Sequence, residues 1–422
     1  MADGTNTSAS FDVVVIGGGV VGLSCALALQ NRGHRVAVVD PGDPKRRASF
    51  GNAGVISRGS ILPVAGPGLW RALPRYLRNA DPSLRIRYGS LPALAPWLWQ
   101  FVRRANTASV AAAAAALDPL VSRSLDAHLE FARDVGCEHL IKRNGWLRLY
   151  RTEAALAATK REYTILREHA VEVEMLSPSD IAEFEPALAP RFAGGAHFPQ
   201  TGSVESPGEL VACYEAAFSG RGGTLIRGVS EEVAQTESGV AVRMRERSIV
   251  GSQAIIAAGA WSGELARKLG YPIPLIAERG YHQHVRLAGN ARLTRPVNDV
   301  AGGYVLAPMG DSVRILSGVE LARPDDPRDY RQIERVCEDA RETLPMVDEL
   351  IDKPWCGSRP STPDSLPVIG RAPRHDRITF AFGHGHIGLS TGPITGKIVS
   401  SIIDCQPLEV STNPFSVMRF CR

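Results

Sequence analysis

One stretch constrains this chain more than any other. The β-prone run Phe11 to Ile16 meets Gly17-Gly18-Gly19, with Gly22 three residues on, and an apolar helix follows through Leu29. A second short strand, Arg35 to Val39, ends at Asp40. Glycine-rich turns are common, but this one follows a strand, opens a helix and meets an acidic residue about 20 positions on, the full context of a dinucleotide-binding turn. Gly17 permits the tight turn, Gly19 lets backbone approach a pyrophosphate, and Gly22 lets helix and strand close together. The first helical amides, at Val20 and Val21, then meet phosphate with the positive end of the helix dipole. Asp40 would accept hydrogen bonds from a ribose. This stretch leaves NAD and FAD both open.

A chain of 422 residues exceeds one ordinary core, so two domains are expected. With 44% hydrophobic and 22% charged residues it reads as soluble and globular, and a net charge of +4 gives no reason to expect nucleic acid. Seven scattered cysteines without a C-x-x-C suggest free thiols in a reducing cytoplasm and no metal site. The first ten residues are polar, unlike a signal peptide, and no run reaches about 18 apolar residues. We therefore expect a cytoplasmic protein, with a seat at the inner face of the membrane left open.

The pattern reads as α/β: a Rossmann-like domain built from discontinuous segments plus a mixed α+β domain. Ser206-Pro207 starts a helix to about Gly220. Strands are expected at Thr224–Ile226, Val240–Met244, Gln253–Ala257 and Ile378–Phe382, the last feeding a helix to about Ile402. The nucleotide domain would comprise 1–60, 195–265 and 355–422, and the substrate domain 61–194 and 266–354. The latter would hold helices over 61–135, β stretches at Gly280–Val285, Gly303–Leu306 and Val313–Gly318, and a helix from Tyr330 to Leu344 stopped by Pro345.

A second glycine turn, Gly383-His384-Gly385-His386-Ile387-Gly388, also runs from strand to helix, and its N–H groups suit the end of a flavin that gains negative charge on reduction. Val14–Gly22, then Ser49-Phe50-Gly51-Asn52-Ala53-Gly54, then Ala257-Ala258-Gly259-Ala260-Trp261-Ser262, then Gly357-Ser358-Arg359-Pro360 running on to this turn, make four motifs along nearly the whole chain. In that order they resemble the FAD-dependent D-amino-acid oxidase superfamily, most of all its D-amino-acid dehydrogenase branch. The resemblance implies that Ser49, Asn52, Ala53 and Gly54 line pyrophosphate and flavin, that Gly259 lies under the adenosine half, and that Gly383, His384, Gly385, Gly388, Leu389, Ser390 and Thr391 meet the flavin end. It places the stretch Val229–Val233, with Val233, against adenine. It implies non-covalent FAD, since Ser361 and Thr362 stand where some relatives carry an attaching cysteine and Cys356 lies three residues before Arg359. It also gives Arg359 the task of holding a substrate carboxylate, for which a guanidinium offers two parallel hydrogen bonds.

Period-two alternation sets Tyr281 and Gln283 on one face of a strand and His282 and His284 on the other. Tyr281, His284, Tyr304 and His386 are candidates for the substrate's amino group or side chain. A Tyr281/His282 lining would suit a cyclic substrate such as D-proline or cis-4-hydroxy-D-proline. Of two alternatives for Lys45-Arg46-Arg47, reaching the pyrophosphate or facing solvent, the second is expected. The tryptophan- and arginine-rich segment 61–104 either packs the substrate domain or lies on an anionic membrane. The function expected is oxidative deamination of a D-amino acid by hydride transfer to flavin, with electrons passed to a quinone or other acceptor. The alternatives are an oxygen-using glycine- or sarcosine-type oxidase and a non-catalytic flavoprotein subunit of a larger dehydrogenase.

Overall fold

The computed structural model describes residues 11–421, without the side chains of 348 and 349. The first ten residues, on which the expectation of no signal peptide rests, lie outside it. An eight-stranded sheet forms around Phe11–Ile16, which pairs in parallel with Val36–Asp40 on one side and Ser248–Ile256 on the other. Thr224–Arg227 extends one flank and His375–Phe382 the other, both parallel. Val13, Val14 and Val15 are fully buried: Val13 and Val15 pack with the helices on one face, and Val14 packs on the other with Val233, Val240, Val242 and Leu265. Ser206 caps the helix Pro207–Gly220 by accepting from Glu209 N–H. Three distant stretches of chain thus build one sheet, and the carboxyl ends of its parallel strands point into a common crevice.

The first helix, Val20–Gln30, lies against the last long helix, Gly388–Ile403. Two glycines allow that approach. A Cβ on Gly396 would stand 2.5 Å from the Ser24 carbonyl oxygen, and one on Gly392 would stand 3.1 Å from Val20. The close packing brings both helix N-termini to the same crevice.

A second sheet of eleven strands centres on the 12-residue strand Ile276–Leu287. It pairs antiparallel with Ser312–Leu316 and with Trp355–Ser361. Gly194–Phe198 belongs to this sheet too. Residues 195–198 and 355–361, which the sequence places in the nucleotide half, are thus part of the other layer. Trp355–Ser361 carries glycine, serine and proline, so its strand character comes from its partner rather than from propensity. Residues 61–135 form the helices Leu69–Leu77, Leu91–Arg103, Thr107–Val121 and Ser124–Asp134.

Candidate active site

A cavity of about 700 Å³ lies at the carboxyl ends of the parallel strands, closed on the far side by the large sheet. Gly17, Gly19, Val20 and Val21 border it at the start of the first helix, where Ser49 Oγ accepts from the Val20 N–H at 3.4 Å. Only Ser49 Oγ, at 3.8 Å, comes within 4 Å of where a Cβ on Gly19 would stand, so the backbone there is open to a ligand. Gly22 is internal, because a Cβ there would overlap the Gly17 carbonyl oxygen. Asp40 accepts from Gly18 N–H at 2.7 Å, from Gly42 N–H at 2.9 Å and from Arg47 Nη2 at 3.0 Å. A carboxylate has about four acceptor positions, so one remains for a ribose hydroxyl.

Arg47 corrects the expectation of a solvent-facing basic run. It bridges Asp40 and Glu215, the latter at 2.5 Å, while Arg46 lies over the Trp261 ring. The two carboxylates give the guanidinium a reason to turn inward. Ser49, Asn52 and Ala53 line the cavity, and Gly54 supports their loop from behind. Asn52 Oδ1 accepts from Gly54 N–H at 2.9 Å, and a Cβ on Gly54 would overlap the Val204 carbonyl. Gly259 lines the adenosine end beside Gly228, Val229, Ser230 and Glu231. Val233 does not reach it and instead packs with Val240 and Val242 in the core.

At the other end, His384, Gly385, His386, Gly388, Leu389 and Ser390 line the wall, and the helix they open has no side-chain cap. Gly383 borders a small adjoining hollow instead, and the Thr391 hydroxyl turns back to the Ile387 carbonyl. His128 donates to the Leu389 carbonyl at 2.7 Å and Ser390 to the Val55 carbonyl at 3.0 Å, which fixes the turn. Two helix N-termini, an open glycine and an acidic strand end form a cradle that suits a dinucleotide carrying a flavin.

Arg359 stands on the wall between that turn and the large sheet. It has no hydrogen-bond or ion-pair partner among the described residues, and burial lowers its pKa, with the charge of Glu278 opposing the shift. Its guanidinium lies across Gly280, where any Cβ would overlap Nη2. Glu278 sits directly opposite Arg359 in the strand register and is only 6% exposed. Burial raises the Glu278 carboxyl above its ordinary range, while Ser361 and the Arg359 charge pull it back. His386 is open to the cavity yet deep in the protein. Burial, then the Arg359 charge, holds its pKa down at about 4, so it is neutral at pH 7. Trp146, Val305 and Leu316, with Ser57, Ser60 and Ser317, complete the large-sheet side.

Three expected substrate contacts fall elsewhere. Tyr281 borders the cavity, but its hydroxyl donates to Glu320 at 2.5 Å and its ring meets Tyr330. Tyr304 is buried on Asp299 and Thr343, and its neighbour Val305 takes the cavity side. His284 accepts from Arg314 Nε at 2.8 Å and pairs with Asp352. His282 stacks on Trp355 and bonds the Gly51 carbonyl, so the two histidines brace the 50–52 loop, as does Arg314 through the Asn52 carbonyl. Glu278, Trp355 and Trp146 were given no site role in the sequence. Only Glu278 carried a signal, being one strand period from Gly280.

A family model described as FAD dependent oxidoreductase matches residues 12–402. The chain belongs to this family. Its members use FAD, and the cradle described above fits that cofactor. The chain is 32% identical over 419 residues to a D-amino-acid oxidase of Bradyrhizobium diazoefficiens, covering 97% of this chain and 98% of that protein. It is 28% identical over 417 residues to D-amino acid dehydrogenase 2 of Mesorhizobium japonicum, covering 94% and 97%. Glycine oxidase from Geobacillus kaustophilus shares the fold, with a TM-score of 0.75 at 23% identity over 98% of this chain and 99% of that one. As a member of the family, the chain is an FAD-dependent oxidoreductase.

Proposed function

We propose that this FAD-dependent oxidoreductase deaminates a free D-amino acid with a neutral, largely apolar side chain. One observation carries the reading: Arg359, a half-buried guanidinium without a partner among the described residues, faces the cavity beside the flavin-end turn. A substrate carboxylate would complete it with two charge-assisted hydrogen bonds. The neighbouring walls, Trp146, Val305 and Leu316, carry no charge and leave room for an apolar side chain. The Tyr281/His282 lining that suggested D-proline or cis-4-hydroxy-D-proline is engaged with other partners, so no side chain here singles out a cyclic substrate.

Bound FAD supplies the two-electron acceptor. This chain's residues orient and desolvate. Arg359 fixes the carboxylate, neutral His386 adds no competing positive charge, and the uncapped Gly388 helix favours negative charge at the cofactor. The ammonium first loses a proton to water. Cα then loses a hydride, the imine forms, and water releases ammonia and a 2-oxo acid. FAD is held without a thioether, because Cys356 lies on the Tyr281 side and no cysteine lines the cavity among the described residues.

The electrons leave to a quinone or another acceptor in the cytoplasm or at the inner membrane face. Oxygen is the second reading, favoured by the 32% identity to a relative named an oxidase. Anaerobic bleaching of the flavin band with D- and L-amino acids of each charge class, plus both cyclic compounds, tests the proposal. Bleaching by neutral D-amino acids is the expected result. Bleaching by L-forms or by basic substrates alone refutes it, and none at all with FAD bound points to the subunit reading. Peroxide formed at the rate of substrate oxidation selects oxygen.

A further inference from the structure

We propose that the helices Leu69–Leu77 and Leu91–Arg103 seat this protein on the surface of an anionic lipid bilayer. None of the nine residues of the first helix is buried. Its exposed side chains form two adjoining stripes, Trp70, Pro74 and Leu77, and beside them Arg71, Arg75 and Arg78. The second helix buries Leu94 and Trp97 and exposes Pro92, Pro96, Trp99 and Arg103 along one line. Trp97 and Trp99 lie two residues apart and take opposite roles. Trp97 donates to the Ser361 carbonyl at 3.0 Å and stacks on Phe101, while Trp99 is 65% exposed under Arg103. The Tyr88 hydroxyl donates to the Leu77 carbonyl at 2.7 Å, tying the end of one helix to the start of the next.

Charge selects the partner. Residues 69–104 contain seven arginines and one acid, Asp81; Arg85 and Arg87 pair with Asp329 and Asp326, while Arg71, Arg78, Arg103 and Arg104 form no ion pair among the described residues. Asp81 is neutralised internally by Arg75 and by the Ser83 N–H and hydroxyl. Arginines flanking exposed tryptophans suit the headgroup layer of an anionic membrane, where rings sit at the interface and cations meet lipid phosphates. No helix among the described residues is long and apolar enough to cross a membrane, so the seat is peripheral. The inference does not depend on the substrate or acceptor proposed above. It would bring the Trp97–Ser361 contact, two residues from Arg359, within one helix of the lipid.

The test is co-sedimentation of the FAD-loaded full chain with phosphatidylcholine vesicles, with and without added phosphatidylglycerol. Binding should require the anionic lipid and weaken as salt rises. Arg71→Glu with Arg78→Glu should lower the partition coefficient about tenfold or more. Trp70→Ser with Trp99→Ser should lower it about tenfold at every salt concentration. Both variants should keep the thermal midpoint and the turnover with a soluble dye acceptor. Absence of binding to anionic vesicles overturns the proposal, as does binding that neither variant weakens. A dimer that Trp70→Ser with Trp99→Ser dissolves, without vesicle binding, assigns the face to a second copy and overturns it too.

Discussion

Two arginines stand on opposite faces of the large sheet, one buried and one half-buried at the cavity, and their surroundings could hardly differ more. Arg279 is 1% exposed and completely engaged: Nε donates to Glu320 at 2.8 Å, Nη1 to the Asp326 carbonyl at 2.5 Å, and Nη2 to the Tyr281 hydroxyl at 3.0 Å and the Pro327 carbonyl at 2.9 Å. Arg359, on the neighbouring strand, faces a carboxylate across the register but donates to no described residue. A buried guanidinium is costly to leave unpaired. The saturated one therefore belongs to the fold, and the unsaturated one is the proposed seat of the substrate carboxylate.

The sharpest break of that comparison is to remove each arginine in turn. Arg359→Ala should lower kcat/KM about 10³-fold or more, since truncating one partner of a buried charge pair costs about 2–5 kcal/mol or more. The thermal midpoint should hold or rise, because an unsatisfied charge has gone. Arg279→Met should do the reverse, lowering unfolding stability by about 3 kcal/mol because Glu320 is stranded. Adding Glu320→Leu should restore most of the loss, read by denaturant titration. If Arg359→Ala unfolds the protein while Arg279→Met only slows turnover, the assignment of the two faces is inverted.

A subtler break uses the glycine between them. Gly280→Ala would place a methyl against Arg359 Nη2 and shift the guanidinium. A misplacement of about 1 Å can cost about 10²-fold, and here it should appear mainly in KM, because the carboxylate contact is the one displaced. Steady-state kinetics with one neutral D-amino acid decides it, and an unchanged KM would remove Arg359 from the substrate.

How much of this could be read beforehand depends on whether the signal was local. Glycine spacing, the Asp40 strand end and the Ser206 cap act within a few residues, and each is found where its pattern puts it. The alternation of Tyr281 and His282 across the strand also holds, since His282 stacks with His284 and Tyr281 bonds Arg279. Which face meets the cavity could not be read, because both faces are buried and both are polar. The other partners that Tyr281, His284 and Tyr304 take were hidden for that reason. Arg359 stood out through resemblance alone, its strand being too rich in glycine, serine and proline to declare itself. Trp70, Trp97 and Trp99 look alike in sequence and separate only once the helix is docked.

The smallest expected effect concerns Glu278, the acid set against the unsaturated arginine. Its carboxyl is raised in the folded protein, chiefly by burial. Below the ordinary glutamate pKa of about 4.3 both folded and unfolded chains hold the proton, so the residue contributes nothing. As pH rises past that value the unfolded chain ionises first, and the folded state loses stability until its own carboxyl ionises. Glu278→Gln removes that loss. The variant should match the parent below about pH 4 and be slightly more stable at pH 7. The groups facing this carboxyl are Arg359, the Ser361 hydroxyl and, through Arg359, His386, which stays neutral above about pH 4. An ionised Glu278 also opposes the incoming substrate carboxylate, so the variant's KM should fall about severalfold at alkaline pH and little at pH 5. A KM that rises instead, most at alkaline pH, would mean that Glu278 receives the substrate's ammonium, and the site would then hold both ends of the amino acid with charge.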